Sequence, residues 1–370
     1  MPSIAFYISG HGFGHAARQI EVINALAPRL PDGWRLVVRT GAARWLFDRT
    51  LRARVTFLPG DCDPGIVQID SLRLDEAATA KAAAAFYATV DERVAAEAAL
   101  LQAHEARLVI GDAPPLACAA AAAAGVASVV IGNFTWDWIY EAYEEAFAVD
   151  APAVLPVIRQ AYAAAKAGWR LPMHGGFATV PSVTDLPFVA RHASRPKAQV
   201  LRALQIPADK PLALTSFGGY GLEGLDLDRL DCRHRWTVVS TGRTMPERVP
   251  EATAFVHEGW IYDRGLRYED IVAAVDVVVT KPGYGIVSEC IANRTAILYT
   301  SRGRFPEYDV MVRDMPRVLR SAYVDQEALL AGAWLAPLDA LLAAPPPPER
   351  PATDGAQVTV RRILDFIAAG

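Results

Sequence analysis

The sequence predicts an α/β protein made of two parallel-sheet domains that face a common cleft. Three observations predict it. Short continuous apolar runs alternate with helical patterns from residue 3 to residue 133, as expected of strands buried on both faces by covering helices. The same alternation restarts after residue 190. The chain also has 370 residues, 52% of them hydrophobic, which is material for two cores where chains beyond about 250–300 residues usually divide.

In chain order, "SIAFYISG" (3–10) reads as a strand, 15–30 as a helix, and "WRLVVRTG" (34–41) and "RVTFLPG" (54–60) as strands. One long Ala-rich helix is expected over roughly 75–106. The strand "RLVIGD" (107–112), a helix over 115–124 and the strand "ASVVIGN" (127–133) follow. After the linker around 185–195, five further strands are expected in "PLALTSFGG", "WTVVSTG", "TAFVHEG", "AVDVVVTKPG" and "TAILYT". Each ends in a small or polar turn. The Pro-rich stretch 341–355 can be neither helix nor central strand, and the closing segment reads as an amphipathic helix that crosses back onto the first domain. The expected division is 1–188, 189–345 and a connector with its terminal helix at 346–370. Open parallel sheets bind ligands beyond their strand C-termini, which places the site in the cleft.

The formal net charge is −4, and no Lys/Arg-rich run offers a footprint for nucleic acid. No basic n-region precedes the first strand, and no uninterrupted run of 18 apolar residues appears, so neither a signal peptide nor a membrane span is expected. Peripheral membrane contact stays open. Four cysteines, Cys62, Cys118, Cys232 and Cys290, lie far apart without metal-ligand spacing. They read as small buried hydrophobes in a reduced, cytoplasmic protein.

The stretch "YISGHGFGHAARQIEV" (7–22) crowds glycines and histidines between a strand and a helix. A dinucleotide fingerprint needs Gly-x-Gly-x-x-Gly, and Gly10, Gly12 and Gly14 miss that spacing, with His15 in the third slot. Arg39 ends the second strand where an acid would hold a ribose, so a nicotinamide enzyme is disfavoured, though Arg39 suits a phosphorylated ribose. A catalytic loop fits better. Glycines let backbone and ligand approach closely, and His15 opens the following helix with its ring toward the cleft, as suits a general base. The alternative is that His11 and His15 only hydrogen-bond the turn. Asp112 ends a strand on the same sheet edge and can orient His15. It can equally cap the helix after it. No serine or cysteine sits in a nucleophile elbow. The pairs Asp61/Asp63 and Asp226/Asp228 read as turn acids in preference to metal ligands, and no metal is expected.

"VVVTKPGYGIVSEC" (277–290) is the second dense motif. Backbone N–H groups over 283–286, from Gly283, Tyr284 and Gly285 onward, cap a helix and can hold a phosphate oxygen. Lys281 adds positive charge beside them, and Glu289 is placed for ribose hydroxyls. "SFGGYG" (216–221) adds a second glycine loop on that edge, with Ser216, Gly218 and Gly219. Together they point to a nucleotide diphosphate.

"GHGFGHAAR" at the front and "TKPGYGIVSE" at the back resemble the GT-B glycosyltransferases, whose fold is two Rossmann-like domains. The plant UDP-glycosyltransferases carry strings such as "THCGWNSVLE" at the second site, with a phosphate-binding His where Lys281 stands. Their catalytic His opens a helix as His-x-x-Pro, against His15-Ala-Ala-Arg18 here, and an Asp at a strand end orients it. The bacterial N-acetylglucosaminyltransferases of cell-wall synthesis have a similar Gly-Gly-His opening. The glycosyltransferase-like N-terminal region of the plant L-arabinokinases is similar over almost the whole chain, through "GHGFGHAAR", "GDCDPGIVQIDSL", "NFTWDWIYEAY", "SFGG" and "GYGIVSE". The kinase half has no counterpart here, so kinase activity is not carried over.

The resemblance implies an inverting, metal-independent transfer of sugar from a nucleotide diphosphate sugar, first of all UDP-linked, to a small-molecule hydroxyl or amine. The nucleotide sugar is a substrate, and no cofactor is expected. His15 would be the base, with Asp112 behind it. Glu307 and Asp309 in "RFPEYD" would meet the donor sugar. His11, Phe13 and Arg18 fall on the acceptor side. Asp61, Gln68 and Asp70 could hydrogen-bond the acceptor or be solvated turn residues. In "NFTWDWIYEAY", Trp136 and Trp138 cannot share a helix face, which favours ligand contact by Trp136, Asp137 and Tyr140 over interdomain packing. A nucleotide-sugar epimerase and a non-catalytic sugar-binding module are the alternative readings.

Overall fold

The computed structural model describes residues 1–218 and 224–369. Its first sheet contains β1 (Ser3–Ile8), β2 (Arg35–Thr40), β3 (Thr56–Pro59), β4 (Ala106–Asp112), β5 (Ala127–Gly132), β6 (Ala167–Arg170) and β7 (Val183–Asp185). They are all parallel, in the order β3-β2-β1-β4-β5-β6-β7. The second sheet contains β8 (Leu212–Ser216), β9 (Thr237–Gly242), β10 (Thr253–His257), β11 (Val277–Thr280), β12 (Ala296–Tyr299) and β13 (Ser321–Tyr323). It is also parallel, in the order β10-β9-β8-β11-β12-β13.

Both central strands are wholly buried, which is why their apolar runs are unbroken: β1 reads Ile4, Ala5, Phe6, Tyr7, Ile8 and β11 reads Val277, Val278, Val279. Chain direction reverses its march beside β1 in one sheet and beside β8 in the other, the switch points where a crevice opens. Register then fixes what lies at each crevice. Ile8 pairs with Thr40 and with Asp112, so the glycine loop after β1 leaves the sheet beside Asp112. Thr280 pairs with Ser216 and with Tyr299, which brings the loops after β8, β11 and β12 to one edge.

Three short strands escape the sequence pattern. β6, β7 and β13 have three or four residues each, and the last two are sheet edges with mixed burial. The expected single helix over 75–106 is two, Glu76–Tyr87 and Val90–Ala103. Asp75 caps the first by accepting from Ala78 N at 2.8 Å. At the break, the Thr89 hydroxyl donates to Phe86 O at 3.4 Å, and an Ala-rich surface gave no stripe whose shift would mark it. The terminal helix Gly355–Ala369 lies against helix Gly14–Leu26 of the first unit. Phe188 N donates to Ala352 O (3.1 Å) and Gly355 N to Phe188 O (2.9 Å), fastening that helix to the chain between the sheets. Ile20, Val360 and Tyr284 belong to one apolar cluster that runs from the first sheet to the second.

All four cysteines are buried and unbridged. Asp226 caps its own turn by accepting from Asp228 N (3.0 Å), whereas Asp63, expected as a turn acid, is buried and accepts from Ser9 Oγ (3.0 Å) and Trp136 Nε1 (3.1 Å), far along the chain. Among the described residues, no helix is long and apolar enough to cross a membrane. Among the same residues, no group of three or more His, Cys, Asp or Glu side chains is arranged to hold a metal ion.

Candidate active site

The strand C-termini of the two sheets enclose a cavity of about 690 Å³. Two helices open onto it, Gly14–Leu26 from the first unit and Tyr284–Asn293 from the second. Their N-termini meet through glycine. A Cβ on Gly285 would stand 3.4 Å from the Gly14 Cα, in van der Waals contact, so the two backbones approach closely here. Gly12, at φ +71°, turns the loop between β1 and its helix.

His15 lines the cavity and is buried. Its Nδ1 lies 2.8 Å from Asp112 Oδ1. The fully buried Asp112 carboxylate also takes Arg18 Nε (2.6 Å) and Gln19 Nε2 (2.7 Å) on Oδ2, and Arg18 Nη2 on Oδ1. Burial pushes this carboxyl up, but the Arg18 charge and the hydrogen bonds from Arg18 and His15 outweigh it and bring it down to about 2. The N-cap of the next helix is Pro114, so the capping alternative for Asp112 gives way to the His15 contact. Arg18, expected on the acceptor side, lines the cavity, and it also holds Asp112 and Asn133 (Nη1 to Oδ1, 2.7 Å) and lies over the Tyr284 ring at 5.0 Å.

His11 also lines the cavity, edge-on to Trp136 and stacked on Phe305, with Ile66 N donating to its Nδ1 (3.3 Å). Burial, then the nearby His15, Arg302 and Lys281, hold it well below the usual histidine range, so it stays neutral. Phe13 and Gln68 reach the wall as expected. Asp61 and Asp70 stand outside it. Asp61 is exposed and packs on Gly41, while Asp70 folds onto its own turn, accepting from Leu72 N (2.7 Å) and Arg73 N (2.9 Å).

The aromatic segment corrects the sequence reading. Trp136 and Tyr140 are fully buried and stack on one another, i to i+4 on one helix face. Trp136 Nε1 donates to Asp63 (3.1 Å) and the Tyr140 hydroxyl to Gly65 O (2.8 Å). Trp138 turns the other way and covers Gly175 and Gly176. Asp137 is buried against the Thr179 hydroxyl (3.2 Å). Two faces therefore mean two packed surfaces inside the first unit, and this stretch reaches the cavity only through Asn133 and Phe134.

On the opposite wall, Lys281 follows β11. Burial, with Arg302 beside it, lowers its ammonium to about 7. Gly283 is the helix N-cap, and the first intrahelical bond shown there runs from Val287 N to Gly283 O, so the N–H groups of 284–286 precede it at the cavity wall. Ser216 and Gly218 line the same wall, the Ser216 hydroxyl 2.7 Å from that of Tyr268. Gly219 lies outside the described residues. Glu289 lines the wall too, but Arg191 from the inter-sheet segment grips it (Nε to Oε1, 2.8 Å). Burial still lifts Glu289 to about 7. Glu307 is buried, accepting from Asn133 Nδ2 (2.7 Å) across the cleft, with Arg302 Nη1 at 3.4 Å. Asp309, two residues on, is exposed on the outer side of helix Pro306–Val318, because residues two apart on a helix face apart.

Sequence reasoning passed over Asn133, Arg191 and Arg302. Asn133 and Arg302 both stand just beyond a strand, at positions where open sheets place ligand contacts, and that was the available signal. Arg191 sits in irregular chain and announces itself only through its partners.

No family model matches the chain. The chain is 29% identical over 336 residues to L-arabinokinase of Arabidopsis thaliana, a match covering 89% of this chain and 31% of that protein, in its N-terminal part. The chain thus spans about a third of the length of that curated relative. Among solved structures it is similar to Phytolacca americana UGT2 complexed with UDP-2-fluoro-glucose and pterostilbene (TM-score 0.60, 13% identity, 99% of this chain and 94% of that one). It is also similar to the glycotransferase of kitacinnamycin (TM-score 0.62, 17% identity, 99% and 98%). A third is Arabidopsis thaliana UGT89C1 complexed with UDP (TM-score 0.60, 15% identity, 98% and 100%). The architecture is GT-B.

Proposed function

We propose that this chain transfers a sugar from a nucleotide diphosphate sugar to a small acceptor, with UDP as the first nucleotide to test. One observation carries the reading. His15, backed by the buried Asp112, at the edge of one sheet and a helix N-terminus with a lysine at the edge of the other line a single cavity, and the two helix N-termini meet at Gly14 and Gly285. UDP in two of the similar structures supports the choice of nucleotide.

In this reading the acceptor oxygen attacks the anomeric carbon from the His15 side. His15 Nε2 takes the acceptor proton while Nδ1–H stays on Asp112. The bond from the anomeric carbon to the diphosphate oxygen breaks, and its electron pair leaves with the diphosphate. Lys281 and the N–H groups over 284–286 meet that charge. Preorganised donors of this kind are worth about 3–4 kcal/mol each where charge develops. Attack opposite the leaving group inverts the anomeric centre, and the step uses no metal. Glu307 would hold donor hydroxyls, and Glu289, with Arg191 behind it, the ribose. Four unbridged thiols support a reducing, cytoplasmic setting.

A thermal-shift screen across nucleotides and nucleotide sugars tests this. Saturation at about 100 times Kd stabilises the native state by about 2.7 kcal/mol, and UDP-sugars should raise the Tm above all free monosaccharides. A shift with free sugar alone would favour a binding module. Incubation with donor alone then separates transfer from epimerisation, since a rearranged sugar would identify an epimerase.

Lys281 gives the site a pH signature. The free protein holds this lysine neutral above about 7, whereas a bound diphosphate favours the ammonium. Binding above that pH must therefore draw in a proton, and UDP affinity should fall by up to about tenfold per pH unit between 7 and 9. Calorimetry in buffers of different ionisation enthalpy reads the proton uptake directly. Lys281→Met should bind weakly with a flat profile. A flat profile in the unmodified protein would remove Lys281 from the diphosphate site.

A further inference from the structure

His15 Nδ1 has two neighbours that make opposite demands. Asp112 Oδ1, at 2.8 Å, only accepts a hydrogen bond, and Arg18 Nη2, at 3.0 Å, only donates one. Nδ1 satisfies one of them at a time. Protonated, it donates to Asp112 and leaves the Nε2 lone pair free to take a proton. Unprotonated, it accepts from Arg18, and Nε2 carries the hydrogen and is no base.

What decides between them is where the Arg18 fork is held. Its Nε is on Asp112 Oδ2 (2.6 Å) and its Nη1 on Asn133 Oδ1 (2.7 Å). The Asn133 amide is fixed at its other end by Glu307 of the second unit, Nδ2 to Oε1 at 2.7 Å. All of these groups are buried. We infer that Arg18, anchored across the cleft by Asn133 and Glu307, is a positioning residue that sets the tautomer of His15. The base is then armed only while the donor-side unit is docked on the acceptor-side unit. The inference rests on the transfer reading for its consequence in turnover, but not for the tautomer itself.

The test is the ¹⁵N spectrum of the histidine rings, with the His15 signals assigned by difference from His15→Asn. The unmodified protein should show His15 protonated at Nδ1 and bare at Nε2. Asn133→Ala frees the fork to move onto the ring, and the Nε2–H form should become populated. In a transfer assay the same variant should lose kcat by about 10–100-fold, with UDP Kd within about threefold. Glu307→Ala opens the anchor from the other unit and should give the same spectrum, which keeps the claim decidable if Asn133→Ala does not fold. Asn133→Asp together with Glu307→Gln keeps the bond accepted from Arg18 and exchanges donor and acceptor only in the bond between residues 133 and 307, and should restore the Nδ1–H pattern. An unchanged His15 spectrum in Asn133→Ala or Glu307→Ala overturns the inference, even if turnover falls. If the unmodified protein turns over no nucleotide sugar while the tautomer shifts as described, the inference on Arg18 stands and the transfer reading fails.

Discussion

His15→Ala is expected to lower kcat for sugar transfer by about 10²–10⁴-fold while UDP binding stays within about threefold. The size follows from the role. A positioned general base removes the proton as the acceptor attacks, and an apolar methyl in its place leaves only the donor wall to help. The selectivity follows from the geometry. His15 belongs to the first unit, whereas Lys281, Glu289 and the helix Tyr284–Asn293 belong to the second. The variant should also fold, because Asp112 keeps Arg18 and Gln19 as partners when the imidazole goes. Calorimetry with UDP beside a radiolabelled transfer assay checks both halves. Turnover retained at the original rate would show that the acceptor proton leaves by another route.

The sequence carried a good deal of this site because its signals were local. A strand end followed by glycines and a helix says where His15 and Lys281 stand, and parallel-sheet logic puts both at the cleft. Asp112 was readable for the same reason, as the last residue of an apolar run. The failures share a different cause. Trp136, Asp137 and Tyr140 read as ligand contacts by chemistry type, but their burial depends on what the rest of the first unit lays over them, including Asp63, Gly65 and Thr179. Arg18 reads as an acceptor contact because a cation beside a cleft suggests a ligand, and it does line the cavity. What no local pattern shows is its carboxylate partner, 94 residues away along the chain. Glu307 and Asp309 looked alike in "RFPEYD", and only the helix phase separates a buried carboxylate from an exposed one. Short edge strands such as β7 and β13 carry too few residues for any periodicity to register.

Arg18→Met is expected to have the largest effect on stability, about 3–5 kcal/mol at pH 7, because it strands a buried carboxylate. Methionine keeps much of the aliphatic length beside Tyr284, so the loss is of charge more than of packing. The pH dependence separates this cause from a packing defect. In the intact protein Asp112 sits at about 2, below its ordinary 3.8, so it contributes stability that is present above about 3.8 and is lost as pH falls through about 2. Without Arg18 the burial that opposes ionisation is no longer outweighed, and the carboxyl moves up. An acid whose folded-state value is raised weakens the fold at neutral pH and stops doing so once the medium protonates it. The gap between Arg18→Met and the unmodified protein should therefore narrow from pH 7 to pH 4.5, read by urea unfolding with tryptophan fluorescence. Adding Asp112→Asn to Arg18→Met removes the charge instead of protonating it, and should recover much of the loss at pH 7 in a double-mutant cycle. A gap that is the same at both pH values, or smaller than about 0.5 kcal/mol throughout, would show that Asp112 draws its compensation from somewhere other than Arg18.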